Sequence, residues 1–244
     1  MNQKLTAVLL AVFLLAACSR EGFYEAVGKT SPGEREESSS QAENGGEEKT
    51  SFETVNGEID EENAEIYYCV PDTQTESSAA AAAIEKEISS MALEIAGMAP
   101  DGGKVSLFDG MCDNNENWYS AEYELVLRTA DGTKTKKSFG LVFSAQTGEA
   151  VPLTDVIDAG KLAARMLDDT LSEVDASSDE EKAQLRAALS DLGAKGLEDL
   201  LKDADGAWHG EAPSCSYTLE SGEITVMLNG LADTTVIVRC PDAV

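Results

Sequence analysis

The fold is decided by two stretches of sequence, WYSAEYELVLR at residues 118–128 and KSFGLVFS at residues 137–144. Both are rich in aromatic and β-branched residues, which favour strands. The pair Asp131-Gly132 lies between them and suits a turn that requires positive φ. The two stretches therefore predict a long antiparallel hairpin.

Upstream of this hairpin, the sequence predicts one strand and one helix. AEIYYCV at residues 64–70 reads as a strand that Pro71 closes, and an Ala-rich helix follows over residues 76–98, capped by Ser77 or Ser78. Its apolar residues recur at helical spacing, at Ile84, Ile88, Met91 and Ile95.

Downstream, helices come first and strands last. A helix is expected over residues 159–171, and a second opens with the capping box Ser178 to Glu181 and ends at Gly193 and Gly196, before a helical turn over residues 197–201. The last strands are predicted at residues 216–219, 223–228 and 234–239. We therefore expect an α+β domain with an antiparallel sheet and helices packed on one of its faces.

The N-terminus carries the signature of an exported lipoprotein. Leu15-Ala16-Ala17-Cys18 is a lipobox that follows an apolar run from Leu5. That run is about 13 residues, short of the ~20 that span a bilayer. We expect residues 1–17 to be a signal peptide and Cys18 to carry the lipid that anchors the protein to the extracytoplasmic face of the cell membrane. A plain secretory signal peptide is the alternative.

Residues 18–62 are predicted to be a disordered acidic linker. They are dense in Glu, Ser and Gly and lack an apolar stripe, so they cannot bury enough surface to offset the entropy of ordering. The globular domain is expected at residues 63–244, divided into a strand and Ala-rich helix module (63–117) and a second module (118–244).

Charge narrows the range of partners. The chain has 46 acidic and 18 basic residues and a formal net charge of −28. Such a surface repels phosphate, so nucleic acid is excluded as a partner. It attracts cations, either metal ions or basic proteins, and it also keeps an exported protein soluble.

The sequence contains few of the residue patterns that are typical of catalytic or metal-binding sites. His209 is the single histidine, and no cysteines form a C-x-x-C pair. Asp199, Asp203 and Asp205 resemble a calcium loop in composition but not in register, and Asp113–Asn117 could also supply oxygen ligands. We predict no catalytic residues, no metal site and no cofactor.

Four cysteines remain beside the lipidation candidate Cys18, namely Cys69, Cys112, Cys215 and Cys240. An even number in an exported chain favours disulfides, although buried thiols are the alternative. Three pairings exist, and pairing within each half (Cys69 with Cys112, Cys215 with Cys240) is the preferred one. It closes loops of about 43 and 25 residues, each worth roughly 3–4 kcal/mol.

Two segments carry a family resemblance. FGLVFSAQTGEAVPLTDVI at residues 139–157 has a strand that ends at a Thr-Gly turn and leads to a Leu-x-Asp-aliphatic element, and Tyr217-x-Leu219-x-x-Gly222-x-Ile224-x-Val226 follows later. Residues 119–244 thereby resemble the extracytoplasmic domain of unknown function of RsiV-type, lysozyme-sensing anti-sigma factors and of certain peptidoglycan deacetylases. The resemblance implies a cell-envelope role with a lysozyme-like basic protein or a cell-wall component as partner.

Two functions are compatible with these observations. The leading hypothesis is a membrane-tethered, non-catalytic binding or sensing module at the cell envelope. The alternative is an enzyme that acts on cell-wall glycan through paired carboxylates, which are too numerous here to be singled out without distances.

Overall fold

The computed structural model describes residues 51–75, 78–232 and 234–243. Within them lie nine strands and four helices. In chain order these are β1 (Thr54–Glu61), β2 (Ala64–Pro71), α1 (Ala79–Ala96), β3 (Lys104–Asn114), β4 (Trp118–Arg128), β5 (Lys134–Ser144), α2 (Leu153–Val156), α3 (Ala159–Met166), β6 (Glu173–Val174), α4 (Asp179–Lys202), β7 (Cys215–Glu220), β8 (Glu223–Leu228) and β9 (Val236–Cys240).

The strands form two sheets. The first has the order β1-β2-β3-β4-β5, and the second has the order β6-β9-β8-β7. The predicted α+β class is confirmed, and so is the hairpin of β4 and β5. The first sheet is mixed, however, because β2 and β3 are parallel. A single antiparallel sheet was expected because the sequence pattern cannot report the direction in which separated strands pair.

Each sheet has its own hydrophobic core. Helix α1 covers one side of the first sheet and buries Ile84, Ile88 and Ile95 completely. Helices α3 and α4 pack on the second sheet, where Leu162 and Leu189 are buried. The helix after the capping box breaks where predicted, since Gly193 has φ 68° and ψ 171° inside α4.

The sheets meet through a polar seam between β5 and β7. Gly140 N–H donates to Ser216 Oγ (3.0 Å), and Leu219 N–H donates to Ser120 Oγ (2.9 Å). Serine hydroxyls thus satisfy backbone groups that lack a neighbouring strand. A Cβ on Gly140 would lie 2.2 Å from the carbonyl oxygen of Tyr217. The seam therefore requires a residue without a side chain at position 140.

The expected linker boundary is wrong. Strand β1 pairs with β2 from Thr54↔Pro71 to Glu61↔Ala64, so folded chain begins well before residue 63. The reason is that β1 is an edge strand whose side chains are mostly exposed. A strand in that position needs few apolar residues, and its sequence resembles a linker.

Strand β3 was also missed, because only one strand and one helix were predicted upstream of the hairpin. β3 carries a register shift against β4 between Asp109 and Met111. This bulge interrupts the alternation of apolar and polar residues that identifies a strand.

Candidate functional site

A cleft of about 480 Å³ opens between α1 and the end of β5. Its size is typical of a small-ligand site. It is lined by Ala83, Glu87, Ser90, Met91, Glu94, Leu141, Phe143, Thr147, Gly148, Glu149, Ala150, Ala207 and Trp208.

The floor of the cleft is apolar. Leu141 and Phe143 alternate along β5 and point to the α1 side of the sheet, where both are buried. Met91 is buried on α1 and approaches from the helix. This floor offers van der Waals contact to an apolar ligand group and no hydrogen bond from these three side chains.

One end of the cleft is closed by Trp208. Its indole ring lies 5.1 Å from the ring of Phe139, and its Nε1–H donates to Glu94 Oε2 at 2.8 Å. The segment that carries Trp208 is held against β5, because Val142 N–H donates to the carbonyl oxygen of Gly206 at 3.1 Å. The indole is therefore positioned by the sheet and by α1 together.

The other end is closed by the turn after β5. Ser144 N–H donates to the carbonyl oxygen of Glu149 (2.8 Å), which folds the chain back on itself. Gly148 has φ +75°, and a Cβ there would lie 2.7 Å from Ala80 O and Ala83 Cβ. The turn thus packs directly on the first turns of α1 and brings Glu149 to the cleft.

The charged groups of the cleft are all acidic. Glu87 and Glu94 come from α1 and Glu149 from the turn, and among the described residues no lysine or arginine belongs to the lining. An apolar floor beneath three carboxylates and an indole suits a cation that carries an apolar stem. The negative charges of the three carboxylates also repel anionic ligands from the cleft.

The cysteine predictions have different outcomes. All four described cysteines are thiols in this structure. Cys69 and Cys112 come together, since both sulfur atoms contact the hydroxyl of Tyr119. The lipidation candidate Cys18 lies outside the described residues, and its role stays a prediction.

Pairing of Cys215 with Cys240 is wrong for this fold. Cys215 lies opposite Leu228 and Cys240 lies opposite Ile224, so the two cysteines are at opposite ends of β8. Four residues of a strand span about 13 Å, whereas a disulfide needs Cα atoms within about 7 Å.

The acidic stretches singled out from the sequence do not converge. Asp199 contacts Lys195 Nζ (2.5 Å), whereas Asp205 contacts His209 Nε2 (2.5 Å) on the exposed surface. Asn115 Oδ1 accepts the backbone N–H of Asn117 (2.8 Å) and so shapes a turn. Among the residues that the structure describes, no group of three or more His, Cys, Asp or Glu side chains could hold a metal ion.

Glu122 is a carboxyl whose environment favours the protonated form. It lies on β4, and burial raises its pKa above the ordinary value for glutamate. Arg239 opposes this effect, whereas the negative charges of Asp175 and Glu220 reinforce it. A carboxyl of this kind keeps its proton to higher pH, as a general acid must.

A second cavity, of about 410 Å³, lies where β6 leads into α4. Its charged lining has both signs, since Lys182 and Arg239 are basic whereas the acidic residues are Glu173, Asp175 and Asp179. These charges partly neutralise one another, so the cavity has no preference for ligand charge comparable to that of the acidic cleft.

Sequence reasoning missed the cleft because its walls are far apart in the chain. Glu87 and Trp208 are brought together only by the packing of α1 on the sheet and of the 204–208 segment on β5. Trp208 was visible in the sequence as one of two tryptophans, but nothing in the local pattern paired it with α1.

Fold and site together define an α+β domain with an acidic cleft that has an apolar floor, and a comparison with solved structures adds a likeness. The chain resembles a DUF3298 family protein from Pseudomonas aeruginosa PAO1, known from a crystal structure, with 14% identity and a TM-score of 0.38 over 78% of this chain and 90% of that one. No protein-family profile and no curated protein matches the sequence.

No helix in residues 51–75, 78–232 or 234–243 is both long and apolar enough to cross a membrane.

Proposed function

We propose that this protein is a non-catalytic binding or sensing module of the cell envelope, anchored by lipid at Cys18, and that its cleft binds a cationic group of a basic protein partner. The observation that carries the proposal is the lining of the cleft, which combines three carboxylates, an indole and an apolar floor without a basic residue. The net charge of −28 acts in the same direction, because it attracts a basic partner from a distance.

The side chains of lysine and arginine match this lining. Their aliphatic stems can lie on Leu141 and Phe143 while the charged head reaches Glu87 and Glu149 at the rim. Leu93, on the exposed side of α1, is 67% exposed and gives a protein partner an apolar contact on the helix that forms one wall of the cleft. A macromolecular partner is therefore favoured over a free cation.

The proposal is tested by binding of lysozyme, used as a basic protein probe, to the full chain in isothermal titration calorimetry. We expect the double substitution Glu87→Gln/Glu149→Gln to weaken binding by about tenfold, since two partly exposed ion pairs contribute roughly 0.5–1 kcal/mol each. Binding should also weaken as salt rises, because charges are screened over about 8 Å at 0.15 M.

The matched control is Glu61→Gln/Glu62→Gln, which makes the same change in net charge at exposed positions of the β1–β2 turn, at the opposite edge of the sheet from β5. The control should bind like the unaltered protein. Equal weakening by both double substitutions would mean that net charge alone drives association. The proposal that the cleft binds the partner would then be wrong.

A glycan-acting enzyme is the second candidate, and the raised pKa of Glu122 is the observation that favours it. A peptidoglycan turnover assay separates the two functions. If the protein releases sugar fragments and Glu122→Gln abolishes that release, the protein is an enzyme rather than a non-catalytic binding module.

Anchoring gives a separate prediction. The lipid is attached to the thiol of Cys18, so Cys18→Ala should abolish fatty-acid labelling and leave the protein uncleaved or released from the membrane. Radiolabelled palmitate and membrane fractionation measure both effects. Lipid-labelled, membrane-bound protein in this variant would contradict the lipoprotein assignment.

A further inference from the structure

Two cysteines that are far apart in the sequence meet at one tyrosine hydroxyl. Cys112 Sγ donates to Tyr119 Oη at 3.0 Å, and Tyr119 Oη in turn lies 3.5 Å from Cys69 Sγ. Both sulfur atoms therefore lie within 3.5 Å of one oxygen atom. The three side chains form a connected cluster, and Cys69 and Tyr119 are almost fully buried.

The bulge in β3 accounts for this meeting. β2 and β3 are parallel neighbours through Ile66↔Leu107, which brings the strands carrying the two cysteines side by side. The register shift after Asp109 moves the alternation of β3 by one residue. As a result Cys112, rather than Met111, packs with the α1 side of the sheet, against the core that contains Tyr119.

We propose that Cys69 and Cys112 are a reversible thiol–disulfide pair, and that Cys215 and Cys240 remain thiols. The first pair has both sulfur atoms within hydrogen-bond distance of the same hydroxyl, that of Tyr119. The second pair is separated along β8. The proposal rests on the strand pairing and the shared hydroxyl, and it is independent of what the cleft binds.

The environment of the first pair supports a reactive thiolate. The neighbouring Cys112 thiol lowers the pKa of Cys69, whereas the neighbouring Cys69 thiol and burial raise the pKa of Cys112. The other two cysteines differ from Cys69, because burial raises their pKa values, to about 12 for Cys215 and to about 11 for Cys240. The first pair therefore forms a thiolate more readily than Cys215 or Cys240, whose burial favours the protonated thiol.

The oxidant is a disulfide compound outside the protein. Cys112, the partly exposed member of the pair, loses its proton to the Cys69 thiolate and attacks one sulfur of that compound. The other sulfur of the compound leaves as a thiolate, and a mixed disulfide results. The second cysteine of the pair then loses its proton and attacks the mixed disulfide, which forms the Cys69–Cys112 bond and expels the second thiolate. Two protein thiols are thus oxidised, and one disulfide is reduced to two thiols. Cys112 is partly exposed and gives the oxidant access.

The bond would close a loop that contains all of α1. This helix supplies Glu87, Met91 and Glu94 to the cleft. Oxidation therefore adds a covalent bond between the two ends of the segment that forms one wall of the cleft, and reduction removes that bond.

The test uses the purified full chain, incubated with oxidised or with reduced glutathione, denatured, alkylated and mapped by mass spectrometry. After oxidation we expect a linked peptide that joins Cys69 to Cys112 and full alkylation of Cys215 and Cys240. After reduction we expect all of them to be alkylated. Peptide mapping scores each cysteine separately, so Cys18 does not interfere. A linked peptide that contains Cys215 or Cys240, or complete alkylation of Cys69 and Cys112 after oxidation, overturns the proposal.

A second measurement uses variants that keep the fold. Cys112→Ser retains a hydroxyl donor for Tyr119, and Cys240→Ser is the control of the same chemistry in the second sheet. Oxidised glutathione should raise the thermal midpoint of the unaltered protein and of Cys240→Ser but leave that of Cys112→Ser unchanged. A rise of equal size in Cys112→Ser would show that the effect of the oxidant does not come from this pair.

Discussion

Gly140→Ala should destabilise this protein by about 3 kcal/mol or more, a large effect for the addition of one methyl group. The new Cβ would lie 2.2 Å from the carbonyl oxygen of Tyr217 and 2.6 Å from Thr218 Cγ2. Two backbones meet there, so no side-chain rotation can relieve the clash. The sheets must separate, and the hydrogen bond from Gly140 N–H to Ser216 Oγ is then lost as well. Urea denaturation followed by circular dichroism measures the loss.

Gly110→Ala is the matched control on β3. Its Cβ would come no closer than 3.4 Å to the flexible side chain of Glu122, and its backbone needs no positive φ. We expect a change within about 1 kcal/mol of the unaltered protein. Similar losses in both variants would mean that alanine in a strand, rather than the seam, causes the destabilisation.

The sequence predicted the elements that have strong local patterns. The four apolar residues at helical spacing located α1, and Ser78 caps it as expected, since its hydroxyl accepts Ala81 N–H at 2.9 Å. The hairpin of β4 and β5 followed from two alternating stretches around a Gly turn. In these elements the local preference and the tertiary packing agree.

The missed strands show where local patterns fail. The edge strand β1 exposes Val55 and only half-buries Ile59, so its composition satisfies the criteria for a linker. β3 alternates correctly up to Asp109, after which the bulge at Gly110 reverses the pattern. Both strands gain their stability from neighbours in the sheet, which a single stretch of sequence does not reveal.

The cleft and the cysteine pair depend on contacts between remote segments. Cys69 meets Cys112 only because β2 and β3 run parallel, and the sequence could propose that pairing by proximity in the chain but not by geometry. The same reasoning wrongly paired Cys215 with Cys240, because the order of strands in the meander places them at opposite ends. Long-range topology decides both outcomes.

Arg186→Ala should lower the free energy of unfolding by about 2–4 kcal/mol. No pattern in the sequence singles out position 186. The guanidinium joins α4 to the end of α3, where Nη1 donates to Met166 O (2.8 Å) and Nη2 donates to Ser172 O (2.6 Å). Nε lies 2.9 Å from Asp169 Oδ1 but lacks hydrogen-bond geometry, so this contact is an ion pair. The Arg186 side chain is only 14% exposed, and its removal leaves the two carbonyl groups without their charged donor.

Two further substitutions separate the role of the guanidinium from that of charge. Arg186→Lys keeps the charge but loses the planar fork that reaches both carbonyl groups, so it should recover only part of the stability. Lys202→Ala removes an exposed cation from the same helix, one that pairs with Glu198, and should cost at most about 0.5 kcal/mol. Thermal and urea unfolding of the three variants give the comparison. If Arg186→Ala were as mild as Lys202→Ala, the junction of α3 and α4 would be held by the apolar contacts of Leu162 and Leu189 instead.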